Sequence, residues 1–184
     1  LKSNSAFLRF HAEISTRITN HYKTPQTLGL DRFAAVIGAS SLLPQQNCLV
    51  VDAGTCITCD FVDKKGNYSG GSISPGIAMR FKAMHAFTGR LPLIEYDAEF
   101  NDSFGSDTRS SILAGAQHGA LNEVIGFIND YGSGYFDLQV ILCGGDVKFF
   151  DTHLKNSIFA HSVKTEPQLV LIGLNEVIHQ YNND

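Results

Sequence analysis

The chain has 184 residues, 43% of them apolar, and a formal net charge of -4, so it can bury a substantial core. Its acidic balance, with a pI near 5.9, argues against a nucleic-acid partner, which needs basic side chains gathered on one face. No run of about 18 apolar residues occurs, which excludes a membrane-spanning helix.

In chain order, residues 5–20 repeat apolar groups at helical spacing and predict a first helix. Thr24-Pro25-Gln26-Thr27-Leu28-Gly29 then breaks the chain, because Pro25 restricts Thr24 and Gly29 admits an unusual backbone conformation. Helical periodicity resumes from Asp31 to Ala39, with Asp31 expected as the N-cap. Cys48–Asp52 and Cys56–Val62 are extended runs around a Gly54-Thr55 turn, which predicts a hairpin. A short third strand follows the turn at Lys65-Gly66-Asn67 and leads into Gly70–Gly76. Residues 77–88 predict a helix ending near Gly89, and residues about 107–130 a long one. Leu138–Cys143 is a buried strand closed by Gly144-Gly145-Asp146, and a last helix covers about 168–181. A meander followed by helix, strand and helix predicts an α/β layer similar to ribonuclease H.

Four segments carry possible chemistry. Asp52-Ala53-Gly54-Thr55 ends a strand in a carboxylate, a glycine turn and a hydroxyl. Gly54 would bring backbone N–H groups toward an anion and Thr55 would donate to a phosphate oxygen. Asp52, repelled by phosphate, would hold a cation or ordered water. The same residues equally make an ordinary structural turn. At Cys143-Gly144-Gly145-Asp146 two glycines follow a strand, where open α/β sheets bind ligands, although a plain strand-to-helix turn capped by Asp146 fits too. In Tyr22–Arg32, Asp31 would accept a proton from a hydroxyl and Arg32 would grip a carboxylate or phosphate. The competing reading makes Asp31 a cap and Arg32 a solvated charge. Gly105-Ser106-Asp107-Thr108 opens a helix, and its hydroxyls and N–H groups suit either an anion, a polar substrate or a cap.

The spacing of Cys56 and Cys59 suggests a metal pair, but a strand points them to opposite faces and no second pair lies nearby. Four reduced thiols in a cytoplasmic protein are the expectation. The seven histidines show no metal spacing, and none is assigned to catalysis.

These segments in this order resemble the type III pantothenate kinases, members of the superfamily that includes acetate kinase, sugar kinases and actin. The resemblance runs from about Tyr22 to Asn182. It rests on Y-x-T-P-x-T-L-G-x-D-R, V-D-A-G-T, G-x-Y-x-G-G-x-I-x-P-G, T-G-R-L-P, G-x-x-T before a helix, and G-G-D. It implies an actin-like, ribonuclease H-like fold, with residues 1–40 ending a first subdomain and 41–184 forming the second. The implied reaction is ATP-dependent phosphorylation of pantothenate, the first step of coenzyme A synthesis. Asp31 would be the proton acceptor, and Tyr22, Gly29, Leu30, Asp31, Arg32 and Thr108 the pantothenate contacts. Gly54, Thr55, Gly144 and Gly145 would serve ATP, and Asp52 a monovalent cation, K⁺ or NH₄⁺, beside Mg²⁺ on the nucleotide. The family works as a homodimer with the pantothenate pocket near the subunit interface.

Two departures stand out. The family's opening D-x-G-N-T strand has no counterpart before Tyr22, so the chain is expected to be a fragment, inactive alone. Cys56 and Cys143 stand where alanine and threonine are more usual. A nucleotide-binding regulator on the same scaffold, or a kinase for another small alcohol, would share the fold. A regulator, however, has no need for an acid at position 31.

Overall fold

The computed structural model describes residues 7–183. One six-stranded sheet organises them, in the order β1-β4-β3-β2-β5-β6. The strands are β1 (Thr19–Asn20), β2 (Cys48–Ala53), β3 (Cys56–Val62), β4 (Asn67–Pro75), β5 (Gln139–Cys143) and β6 (Val163–Thr165). β2, β3 and β4 form an antiparallel meander, while β5 runs parallel to β2 and β6 to β5. Numbered from β2, this is a 3-2-1-4-5 sheet, the ribonuclease H arrangement, with β1 added parallel to β4 at its edge.

The strands alternate between two cores. Leu49, Val51, Ala53, Ile57, Cys59, Val140 and Leu142 point to one face, which is covered by α2 (Ile77–Ala86), α3 (Thr108–Leu113), α4 (Gly119–Gly134) and α5 (Val147–Lys155). Cys48, Val50, Val62, Tyr68, Ile141 and Cys143 point to the other, beneath α1 (Leu30–Leu42) and α6 (Leu169–Asn183). Side-chain alternation along a strand makes both faces apolar, which is why β2 and β5 read as continuous hydrophobic runs. α1 and α6 cross closely: a Cβ at Gly173 would lie 1.8 Å from Ala34 O, and one at Gly38 2.4 Å from Leu169 O. A turn of π-helix, Ala114–His118, joins α3 to α4.

Several expectations are corrected. The described part of the predicted first helix, residues 7–18, forms turns and irregular chain, and Thr19–Asn20 becomes a strand. Ser5 and Ala6 lie outside the described residues. The apolar groups at helical spacing there (Ala12, Ile18, with Leu8, Phe10 and Ile14) pack under α1 without a helix. Gly29, not Asp31, is the N-cap of α1, and its φ of -58° is ordinary. β4 is nine residues long, the longest strand. α5 and β6 were not predicted. Both are short, and α5 reveals itself only through Phe149, Phe150 and Leu154, buried on one face.

Candidate active site

The C-terminal ends of β2 and β5 meet, since Asp52 and Cys143 are partners in register. Alternation puts Asp52 on the α1 face, as Val51 and Ala53 both enter the opposite core. Just beyond, the Gly144 turn folds back over β2. Gly144 has a φ of +93°, which favours glycine. Asp146 N–H donates to Ala53 O at 2.8 Å, tying the double-glycine turn to the hairpin. Two motifs 92 positions apart at Asp52 and Gly144 thus form one surface.

Asp31 reaches this surface from the first turn of α1. Burial raises the Asp52 pKa above its usual value, with the negative charges of Asp31 and Asp60 adding to the rise. Asp31 itself is exposed, and its Oδ1 accepts from the Arg32 N–H at 2.8 Å. Gly29 lies close by: a Cβ there would come 2.6 Å from Asp31 Oδ1 and displace that side chain.

Arg32 is neither a solvated charge nor a free anion grip. Its side chain is buried, and Nε and Nη2 donate to Asp60 Oδ2 and Oδ1 at 2.8 and 2.6 Å. Asp60 also accepts from Tyr68 Oη at 2.8 Å. The hydrogen bond to Asp60 raises the Arg32 pKa further, and burial with the adjoining carboxylate raises that of Tyr68. The half-buried Tyr22 ring lies under the Arg32 guanidinium and stacks on Tyr68. Sequence reading passed over Asp60 and Tyr68. A carboxylate in the middle of an apolar strand was the available signal, because such a group is buried only with a partner.

On the hairpin, Thr55 is exposed, while the Gly54 N–H is used within the turn, donating to Cys56 O at 2.9 Å. The expectation that Gly54 turns its own N–H toward an anion is therefore corrected. A Cβ at Gly54 would meet only Asp52 Oδ1, at 4.0 Å, and one at Gly145 would meet nothing within 4 Å. Gly145 and Asp146 line a cavity of about 500 Å³ with Ile77, Tyr96, Glu99 and His153. Thr108 is the exposed first residue of α3, after an Asp107 cap that forms a capping box with Ser110. α3 packs on the face opposite α1. Within one chain, then, Thr108 and Asp31 belong to helices on opposite sides of the sheet. All four cysteines are free, with Cys48, Cys59 and Cys143 buried.

Hairpin, double-glycine turn and acidic α1 start, on a ribonuclease H-like sheet, define the class as an actin-like α/β layer. Sequence comparison narrows the class. The sequence pattern of the type III pantothenate kinase family matches residues 3–130. A type III pantothenate kinase of Bacteroides fragilis (strain YCH46) is 48% identical over 169 residues, 92% of this chain and 67% of that protein. One from Phocaeicola vulgatus is 47% identical, covering 93% of this chain and 68% of its own. The chain belongs to the type III pantothenate kinase family and spans about two thirds of the length of these relatives. Among solved structures, a conserved putative Baf family transcriptional activator from Campylobacter jejuni aligns with a TM-score of 0.60. It is 24% identical over 89% of this chain and 69% of its own, a likeness of fold.

Proposed function

We propose that the protein transfers the γ-phosphoryl group of ATP to the hydroxyl of pantothenate, with Asp31 as proton acceptor. The observation that supports this most is the meeting of Asp31, Asp52 and Gly144 at one sheet end. The substrate oxygen attacks γ-phosphorus, its proton passes to Asp31, and the bond to the ADP oxygen breaks. Such a loose transition state asks for positioning and charge compensation more than for a strong base. Asp31 is exposed and makes no ion pair among the described residues, which suits it to that role.

Charge balance supports the cation. The charges of Asp31 and Asp60 both act on Asp52, and Arg32 pairs with Asp60, so two carboxylates remain. Asp52 would hold a monovalent cation, K⁺ or NH₄⁺, which would offset the negative charge beside the phosphates. Mg²⁺ would accompany the nucleotide. Thr55 would contact phosphate, and the Gly144-Gly145 turn the adenosine, with open space where Gly145 lacks a side chain.

Tyr22, Gly29, Leu30 and Arg32 would shape the pantothenate pocket around Asp31. Thr108 would join it from a second copy of the chain in a homodimer, because its own helix lies on the other face. We infer a cytoplasmic enzyme without nucleic-acid or membrane partners, consistent with its acidic charge. The regulator reading is not favoured, since the relatives at 47–48% identity are named as kinases. The test is ADP release by the full-length protein with and without pantothenate, in K⁺ and in K⁺-free buffer. Pantothenate-dependent, K⁺-stimulated release is expected; ADP release indifferent to pantothenate contradicts the reading.

A further inference from the structure

We infer that Asp60 and Tyr68 are positioning residues, which orient Arg32 and Tyr22 to recognise the carboxylate of the substrate. The inference rests on the pantothenate reading, and pantothenate carries one carboxylate.

Asp60 is 1% exposed and Arg32 7%, and the pair is bidentate. A buried ion pair is a poor device for stability alone, because desolvating two charges offsets their attraction and apolar replacements often do as well. What it supplies is orientation. Arginine has five N–H groups; Asp60 takes one from Nε and one from Nη2, which leaves three. Held along one edge, a guanidinium can present the others to a second carboxylate, and low exposure strengthens such charge-assisted bonds.

Further contacts tie the same pair to Tyr68 and Tyr22. Tyr68, fully buried, donates to Asp60 Oδ1, the oxygen that also accepts from Arg32 Nη2, and so helps fix the carboxylate. The Tyr68 ring stacks on Tyr22 with planes 9° apart and centroids 6.4 Å apart. Gly70, at φ +104°, gives Tyr22 its place: a Cβ would lie 2.9 Å from two atoms of that ring. Arg32 then sits over the Tyr22 face, 5.8 Å from its centroid. β3 and β4, outside the pantothenate loop in sequence, thereby set the geometry of two of its residues.

The experiment compares wild type, Asp60→Asn and Tyr68→Phe in the full-length protein. Kinetics with pantothenate are set beside calorimetric affinity for the same acyl chain ending in a neutral amide. Asp60→Asn is expected to raise the KM for pantothenate about tenfold, the size of one charge-assisted hydrogen bond. Its kcat should stay within about threefold and its affinity for the amide within about twofold. Equal loss toward both compounds, or no change in KM, overturns the inference. If Asp60→Asn shows no cooperative melt, Tyr68→Phe decides: a smaller rise confined to pantothenate supports the assignment, and an unselective or absent effect overturns it. Wild-type turnover with pantothenate is the separate control for the function, so a failed Asp60 assignment is distinguishable from a failed kinase reading.

Discussion

Gly144 is packed against Asp52: a Cβ at position 144 would lie 2.4 Å from Asp52 Oδ1 and 2.4 Å from Ala53 O. This contact is what merges the hairpin and the double-glycine turn, and it separates the roles of two adjacent glycines. Gly144→Ala must shift backbone at a positive φ, at a strain of about 1–3 kcal/mol before the clash is counted. Gly145→Ala meets no atom of the chain and should change stability by less than about 0.5 kcal/mol. Urea denaturation of both variants checks this. In kinetics Gly145→Ala should still raise the KM for ATP, because its Cβ would enter space assigned to the nucleotide.

Asp52 trades stability for charge. Its folded pKa is raised, so its contribution to stability is present below the ordinary carboxylate pKa and is lost as pH rises through the folded value. At neutral pH the ionised side chain therefore disfavours the fold. Asp52→Asn is expected to melt no lower than wild type in K⁺-free buffer. K⁺ should raise the melting temperature of wild type and leave that of the variant unmoved. Equal K⁺ stabilisation of both would remove Asp52 as the cation ligand.

Much of this fold was legible because β2, β3 and β5 announce themselves in apolar runs bounded by glycine turns. The residues of Asp52-Ala53-Gly54-Thr55 and Gly144-Gly145 fall where the sequence placed them, at strand ends. Their proximity was not legible, since it depends on β5 pairing parallel to β2 across a long insertion. Over its described residues, from 7 on, the expected first helix failed because tertiary burial under α1 satisfies the same apolar spacing without helical backbone. The burial and pairing of Arg32 were not legible for a related reason. Its partner Asp60 is 28 residues away on a strand, and no local pattern links an arginine in a helix to a carboxylate in a meander.

The Arg32–Asp60 pair makes its own prediction. Arg32→Met leaves Asp60 buried without its partner, a loss of about 3–5 kcal/mol. Arg32→Met combined with Asp60→Leu should recover most of that stability, since a buried pair can be replaced by apolar groups of similar volume. The double variant should remain a weak kinase with a high KM for pantothenate. A thermodynamic cycle from chemical denaturation, run beside steady-state kinetics, measures both.

The cysteines differ in accessibility. Burial raises the Cys48 thiol to about 11 and Cys59 and Cys143 to about 12, which leaves them unreactive at neutral pH. Cys56 is half-buried and follows Thr55 directly. Alkylation with peptide mapping should find Cys56 modified first, and ATP should slow that modification if the hairpin holds phosphate.

The most direct test of the central claim is pre-steady-state phosphoryl transfer by the full-length protein and its Asp31→Asn variant at saturating ATP and pantothenate. The variant is near-isosteric and removes the proton acceptor. The account predicts that the transfer rate falls by about 10²–10⁴-fold, the usual worth of a general base, while ATP still binds. Transfer to pantothenate at an unchanged rate in the Asp31→Asn protein would contradict it.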